Sequence, residues 1–362
     1  MPSSKHDLSA VRRRIEQREE LLSPHATRTA SSAGRAVPEE QSPVRGEFQR
    51  DRDRIVHTNS FRRLKHKSQV FVAPQGDHFT TRLTHVMEVA QVGRTIARAL
   101  NLNEDLVEAA ALGHDLGHTP FGHIGEAVMD RVLPGGFHHS RHSVRIVTLL
   151  EKDGRGLNLM AEVVEAIRRH SKPEGEFMSQ GSVADMSLEA QIVRMSDALA
   201  YLSHDILDAV RSDFMSVDDL PGEAIERLGR GHSQRVNALV CDVIETSWDC
   251  TGEIEPVGDR PWVRMSEEMS GIVTRLRNFM FKRFYHPISQ SVEGRKAADI
   301  VEVLFEHYVA NPSKLPAWLM ELEGSTEQAA ADHVCGMTDN YALLVAEKIR
   351  PGLSEGVFQG RI

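Results

Sequence analysis

An all-α protein is the fold class that this 362-residue sequence predicts, and three observations predict it. Apolar residues recur at helical spacing through most of the chain. Only one stretch, 69–72, reads as extended, so at most a short strand pair is expected there. No internal repeat is present that would turn the helices into a solenoid. A composition of 40% hydrophobic and 26% charged residues is ordinary for a globular chain. No apolar run reaches the ~18 residues a bilayer-spanning helix needs, so no membrane partner is expected. Arg12-Arg13-Arg14 stands near the N-terminus without an apolar run, which is not a secretory pattern, and a cytoplasmic protein is expected. Cys241, Cys250 and Cys335 are too few and too irregularly spaced for a disulfide framework.

The chain divides into a flexible basic arm over 1–46, a core over 47–290, and a helical C-terminal extension over 291–362 packed on that core. Residues 1–22 predict a polar helix through Val11, Ile15 and Leu21, and 23–46 are rich in Ser, Ala, Pro and Gly with no apolar period. Order begins at Glu47, with Phe48, Ile55, Val56, Phe61 and Leu64 on the apolar face and alternating Arg and Asp forming local ion pairs. The extended stretch ends at Pro74-Gln75-Gly76-Asp77. Val86, Val89, Ala90, Gly93, Ile96, Ala97 and Leu100 predict a helix over 84–100. Asn103 caps the next, with Glu104 and Asp105 in its first turn, and an alanine-rich wall carries it to His114-Asp115. Another spans 123–133, stopped by Pro134-Gly135-Gly136. Helices over 142–150 and 159–170 precede a polar loop over 172–184. A long helix over 188–211 follows, its buried stripe Ile192, Met195, Leu199, Leu202, Ile206 and Val210. Further helices are expected at 234–248, 267–285, 295–310, 316–323 and 326–349.

Net charge is −9, but residues 1–72 hold 15 Lys/Arg against 9 Asp/Glu, which leaves −15 on the remainder. A basic N-terminal region suits nucleic acid, a polyphosphate or an acidic neighbouring subunit, and a solvated tail is the bland alternative.

Ten of the 18 histidines fall between His57 and His142. The stretch 114–126 alone contains His114, His118 and His123 with Asp115 and Glu126, and its Gly and Pro residues force a turn directly after the doublet. His85, His114-Asp115 and Asp197 lie on three separate helices that can converge in a bundle core. Two imidazoles and two carboxylates make a mixed shell suited to a divalent ion, whether Mn, Mg, Fe or Zn. Asp197, Tyr201 and Asp205 stand four residues apart and therefore stack on one helix face.

The order His85, His114-Asp115, Asp197 resembles the signature of HD-domain metal-dependent phosphohydrolases. Longer strings are more specific: FQRDRDRIVH over 48–57, SFRRL over 60–64, SQVF over 68–71, TRLTH over 81–85 and HDLGHTPFGHIGE over 114–126. Together they resemble bacterial deoxyguanosinetriphosphate triphosphohydrolase-like proteins, from about residue 22 to residue 285. The resemblance implies an HD-domain helical bundle with His85, His114, Asp115 and Asp197 as metal ligands. It implies that His118, His123, Glu126 and His139 lie near the scissile phosphate, with His123 oriented by Glu126 as general acid. Family members read Phe-x-His-Asn-x-Gln-Ser where this chain has Phe137 to Ser143, and His139 is the matching histidine. Arg82 matches a phosphate-binding arginine, Gln69 and Val70 a deoxyribose-contacting pair, and Tyr201 and Asp205 the sugar edge. Arg277 and Tyr285 match late phosphate- and base-proximal positions. The implied reaction cleaves a dNTP at the α-phosphate into deoxynucleoside and tripolyphosphate. A homo-oligomer, with a hexamer as one form, and a dNTP effector are further implications of the resemblance. A deoxynucleotide phosphatase or phosphodiesterase, and a regulatory protein binding dNTP or single-stranded nucleic acid, are the alternatives.

Overall fold

A computed structural model describes residues 7–73, 78–171, 178–322 and 324–358. The fold is all-helical. The expectation of at most a short strand pair near 69–72 is met at its lower limit: the backbone there bends, and pairing is one antiparallel bridge between Ser68 and Thr81. The turn expected at Pro74–Asp77 and residues 172–177 of the polar loop lie outside the described residues.

The first core is organised by Arg82–Ala99, Glu104–Gly113 and Leu188–Arg211, which pack on one another. Glu47–Val56, Ala161–Arg169 and His232–Thr246 close around them. Gly93 lets the three central helices approach: a Cβ there would stand 2.7 Å from the Val107 side chain and 3.2 Å from Ser196 Oγ. Asn103 caps its helix as expected, its side chain accepting from the Leu106 N–H. The helix expected from Glu47 stops at Val56 and restarts after Thr58, whose hydroxyl caps Asn59–Arg63. Two others pass into a π turn, at Ile146–Leu150 and Phe281–Tyr285. The final expected helix is two, Thr326–Cys335 and Asp339–Ile349, with Thr338 capping the second.

A second core forms where Val292–Ala310, Thr326–Cys335 and Asp339–Ile349 pack together and onto Gly122–Val132. One buried charge ties it to the turn after the His-Asp doublet. Lys67 Nζ donates to the carbonyls of His118 and Cys335, the latter at 2.7 Å. Burial pulls its ammonium down to about 8 from 10.5. The folded state thus favours the neutral amine, while the unfolded chain keeps its proton, so this group adds stability as pH rises from about 8 to 10.5. Lys67→Met should lower stability by about 1–3 kcal/mol in urea unfolding, because two buried carbonyls lose their donor. The variant should also lose that rise with pH, and an unchanged slope would argue against the role.

Residues 7–46, expected as a flexible arm, carry the helix Ser9–Glu20 and then run along the core in defined contacts. Buried carboxylates on the core helices need partners, and this segment supplies them. Arg35 pairs with Glu47 and Asp51, and Thr27 donates its N–H and hydroxyl to Glu189. The arginine excess is drawn into the same pairing: Arg12 with Glu47, Arg50 and Arg54 with Glu39, Arg45 with Asp53, Arg52 with Glu108.

Candidate active site

Three helices bring the expected metal-type residues to one point. His85 comes from the first turn of Arg82–Ala99, His114 and Asp115 follow the end of Glu104–Gly113, and Asp197 lies midway along Leu188–Arg211. His85 Nε2 is 3.3 Å from Asp197 Oδ1 and 3.7 Å from Asp115 Oδ2. His114 Nε2 is 3.4 Å from Asp115 Oδ1 and 3.8 Å from Asp197 Oδ1. His114 Nδ1 donates to the Ala111 carbonyl at 2.6 Å, which leaves Nε2 a buried lone pair with no hydrogen-bond partner. An orphaned imidazole nitrogen facing two carboxylates fits a divalent ion. The charge states agree. Burial lowers His85, so it favours the neutral ring that a metal requires. Burial opposes ionisation of Asp115, yet the neighbouring His118, His114 and Arg82 hold its carboxyl well below the usual range.

His85 is oriented from behind. Its Nδ1 lies 2.9 Å from His204 Nε2, and His204 Nδ1 lies 2.8 Å from Asp205 Oδ1. With its proton on Nδ1, on the side of the Asp205 carboxylate, His204 accepts from His85 at Nε2 and the lone pair of His85 Nε2 turns to the carboxylates. His204 was not singled out by sequence reasoning. Its signal was available, because it stands two helical turns from Asp197 and so shares that face.

The turn between the doublet and the next helix is held by contacts from both cores. The N–H of Gly117 donates to Ser143 Oγ at 2.8 Å, and a Cβ at Gly117 would lie 2.2 Å from the Ser143 nitrogen. Only glycine permits that approach. Phe121 adopts a left-handed φ of 61°, and its N–H donates to Asp339 Oδ1 at 2.9 Å. The same carboxylate accepts from the Ser68 N–H at 2.9 Å and from the Ser68 hydroxyl. The C-terminal helices therefore fix the turn that presents His123.

Glu126 links the next three residues. Its Oε2 is 3.0 Å from His123 Nδ1, and its Oε1 accepts from both the backbone N–H and Nδ1 of His139 at 2.7 Å. Burial opposes its charge, but His139, His123 and His118 keep it ionised, well below the usual carboxylate range. His123 is the exposed member, with 71% of its side chain accessible. His118 stacks on His139 with ring centroids 4.1 Å apart, and its Nε2 lies 3.2 Å from Asp115 Oδ1. Of the neighbouring histidines, His138 caps the helix that begins at His139, and buried His142 faces Asp332. His139 is the one that reaches this cluster.

Arg82 is fully buried, and its Nη1 donates to Asp115 Oδ2 at 2.6 Å. Its Nε and Nη2 have no hydrogen-bond acceptor, and neither does buried Gln69 Oε1 have a donor. Val70 packs against the first core. On the other side, Arg277 Nε donates to the Tyr201 hydroxyl at 2.7 Å, and the Tyr285 hydroxyl donates to Asp205 Oδ2 at 2.7 Å. Arg277 and Tyr285, distant in sequence from that helix, are thus brought onto the face of Tyr201 and Asp205. His170 is a further histidine that sequence reasoning missed. It continues the buried stripe of Val163, Ala166 and Ile167 by one turn, and its Nε2 is 4.0 Å from Asp115 Oδ1.

Residues 82–202 match the HD domain family, and residues 263–348 match the phosphohydrolase-associated domain family. Fold and site thus define an HD-domain phosphohydrolase with a candidate His/Asp metal site. The chain is 46% identical to a deoxyguanosinetriphosphate triphosphohydrolase-like protein of Caldanaerobacter subterraneus subsp. tengcongensis, over 93% of this chain and 96% of that one. It is 44% identical to one of Desulfatibacillum aliphaticivorans, over 94% and 97%. The chain belongs to the deoxyguanosinetriphosphate triphosphohydrolase-like proteins. A solved hypothetical protein from Aquifex aeolicus aligns with a TM-score of 0.41 and 19% identity, covering 87% of this chain and 70% of that one. Among the described residues, no helix is long and apolar enough to cross a membrane.

Proposed function

We propose that the protein hydrolyses deoxynucleoside triphosphates at the α-phosphate, releasing deoxynucleoside and tripolyphosphate. The observation that carries this reading is the juxtaposition of the His85/His114/Asp115/Asp197 group with an exposed imidazole, His123, that a buried carboxylate orients. His85, His114, Asp115 and Asp197 would hold a divalent ion, which would supply Lewis-acid stabilisation of charge on the α-phosphate and lower the pKa of a bound water. Arg82 contributes a fixed positive charge, and its two N–H groups without acceptors suit the phosphate oxygens. His118 and His139, stacked beside Glu126, line the path of the phosphate chain.

Water oxygen bonds to the α-phosphorus as the bond from phosphorus to the 5′-oxygen breaks. The departing oxygen takes a proton from His123 Nε2, with Nδ1–H held by Glu126, and the proton given up by the attacking water passes to solvent. Tyr201 with Arg277, and Asp205 with Tyr285, form a rigid edge against which a 2′-hydroxyl would crowd, so deoxynucleotides are favoured. Binding of single-stranded nucleic acid by the N-terminal region is the weaker reading, because Arg35, Arg45, Arg50 and Arg52 are engaged with Glu39, Glu47, Asp51, Asp53 and Glu108.

Incubating the purified protein with Mn or Mg and each dNTP, singly and in pairs, tests the proposal. Tripolyphosphate and deoxynucleoside should form in equal amounts, with faster turnover in some pairs if a second dNTP acts as effector. Release of orthophosphate, pyrophosphate or a nucleoside monophosphate instead would refute the assigned cleavage site.

A further inference from the structure

Asp339 is the first residue of the helix Asp339–Ile349, a position where an acidic side chain ordinarily faces solvent and offsets the helix dipole. This one turns inward and is 3% accessible. A buried carboxylate is costly unless its oxygens are hydrogen-bonded, so its partners define its role.

The two oxygens divide those partners between two segments of the site. Oδ1 accepts from the N–H of Phe121, two residues before His123, and Oδ2 accepts from the N–H and the hydroxyl of Ser68. The Ser68 oxygen in turn accepts from the N–H of Ala73 at 2.9 Å, which closes residues 68–73 into one loop around Gln69 and Val70. The two segments meet at Gly122, where a Cβ would stand 2.8 Å from Arg82 Nη2 and 3.1 Å from the Gln69 carbonyl oxygen. Both are held in shapes that an L side chain adopts only when its surroundings impose them: Phe121 has a left-handed φ of 61° and Ala73 one of 39°. Lys67 repeats the tie one residue earlier, joining the His118 carbonyl to the Cys335 carbonyl.

We propose that Asp339 is a positioning residue for the reaction: one carboxylate from the C-terminal helices holds the turn that carries His123 and the loop that carries Gln69 and Val70 in a fixed register. Proton donor and sugar contacts then reach the same substrate. The inference rests on the roles given above to His123, Gln69 and Val70, and adds the residue that aligns them. An amide cannot take its place. Asparagine offers one acceptor oxygen and turns an NH2 group toward donors, so in Asp339→Asn either Phe121 or Ser68 loses its bond.

Steady-state kinetics of the full chain loaded with Mn(II) tests this. Asp339→Asn should keep the wild-type metal content by elemental analysis, raise KM, and lower kcat by about 10- to 100-fold, the order that a displacement of about 1 Å costs. In a His123→Ala background the same change should lower kcat by no more than about threefold, because the acid it aligns is gone, while KM still rises. Ser68→Ala removes the hydroxyl on the loop side and leaves both backbone bonds to Asp339. It should raise KM with kcat within about twofold of wild type, and it carries the test if the Asp339 variant does not fold. Unchanged kinetics in Asp339→Asn, loss of its metal, kcat losses that multiply in the double variant, or a fall in kcat without a rise in KM in Ser68→Ala each overturn the proposal. Every comparison uses whichever phosphate ester the wild-type protein cleaves. Product analysis is scored separately, so failure here and failure of the proposed cleavage are distinguishable.

Discussion

Asp115→Ala should lose metal and turnover together, and should also destabilise the fold by about 3–5 kcal/mol. The carboxylate stands at the meeting point of Arg82, His85, His114 and His118. Without it, the buried Arg82 guanidinium keeps its charge and loses the one acceptor its Nη1 has. Breaking a buried ion pair from one side leaves an uncompensated charge, and that is where the large cost arises. Asp197→Ala is the control. Its side chain is 18% accessible, so metal loss should come with a much smaller change in stability. Elemental analysis reads the first effect and urea unfolding the second. An Asp115→Ala protein that keeps its metal, or equal destabilisation by both variants, would contradict this account.

His123→Ala should separate chemistry from binding. Removing a general acid typically costs about 10²- to 10⁴-fold in rate, and kcat should fall by that order. Metal content should be unchanged, because His123 is not one of the four proposed ligands. Stability should move by no more than about 0.5 kcal/mol, because the side chain is 71% accessible. An aryl phosphodiester whose leaving group departs without a proton supplies a sharper readout. Wild type and variant should cleave it at similar rates if the loss is one of proton donation. Equal losses on both substrates would assign His123 to phosphate binding instead.

The helices over 82–99, 104–113 and 188–211 were legible because each buries a wide apolar stripe, and periodicity reports a stripe directly. The N-terminal segment was misread for the opposite reason. Residues 23–46 have no apolar period, and what anchors them is polar: Thr27 on Glu189 and Arg35 on Asp51. Such pairing depends on partners far along the chain and leaves no local pattern. The extended stretch 69–72 stays short of a strand because its Ser68 neighbour is fixed by the Asp339 carboxylate and one bridge to Thr81.

By itself, then, the sequence determined the helical class, the clustering of histidines around His114-Asp115, and the helix face shared by Asp197, Tyr201 and Asp205. All three are properties of residues near in sequence or set by helical period. Tertiary structure alone decided that His170 and His204 join the site, that His139 and not His138 or His142 reaches Glu126, and that Arg277 and Tyr285 meet the central helix. It also decided that the C-terminal helices hold the turn through Asp339 and Lys67. Those outcomes depend on which helix faces which, and a histidine on a buried stripe looks the same in sequence whether its free nitrogen meets a carbonyl or a metal.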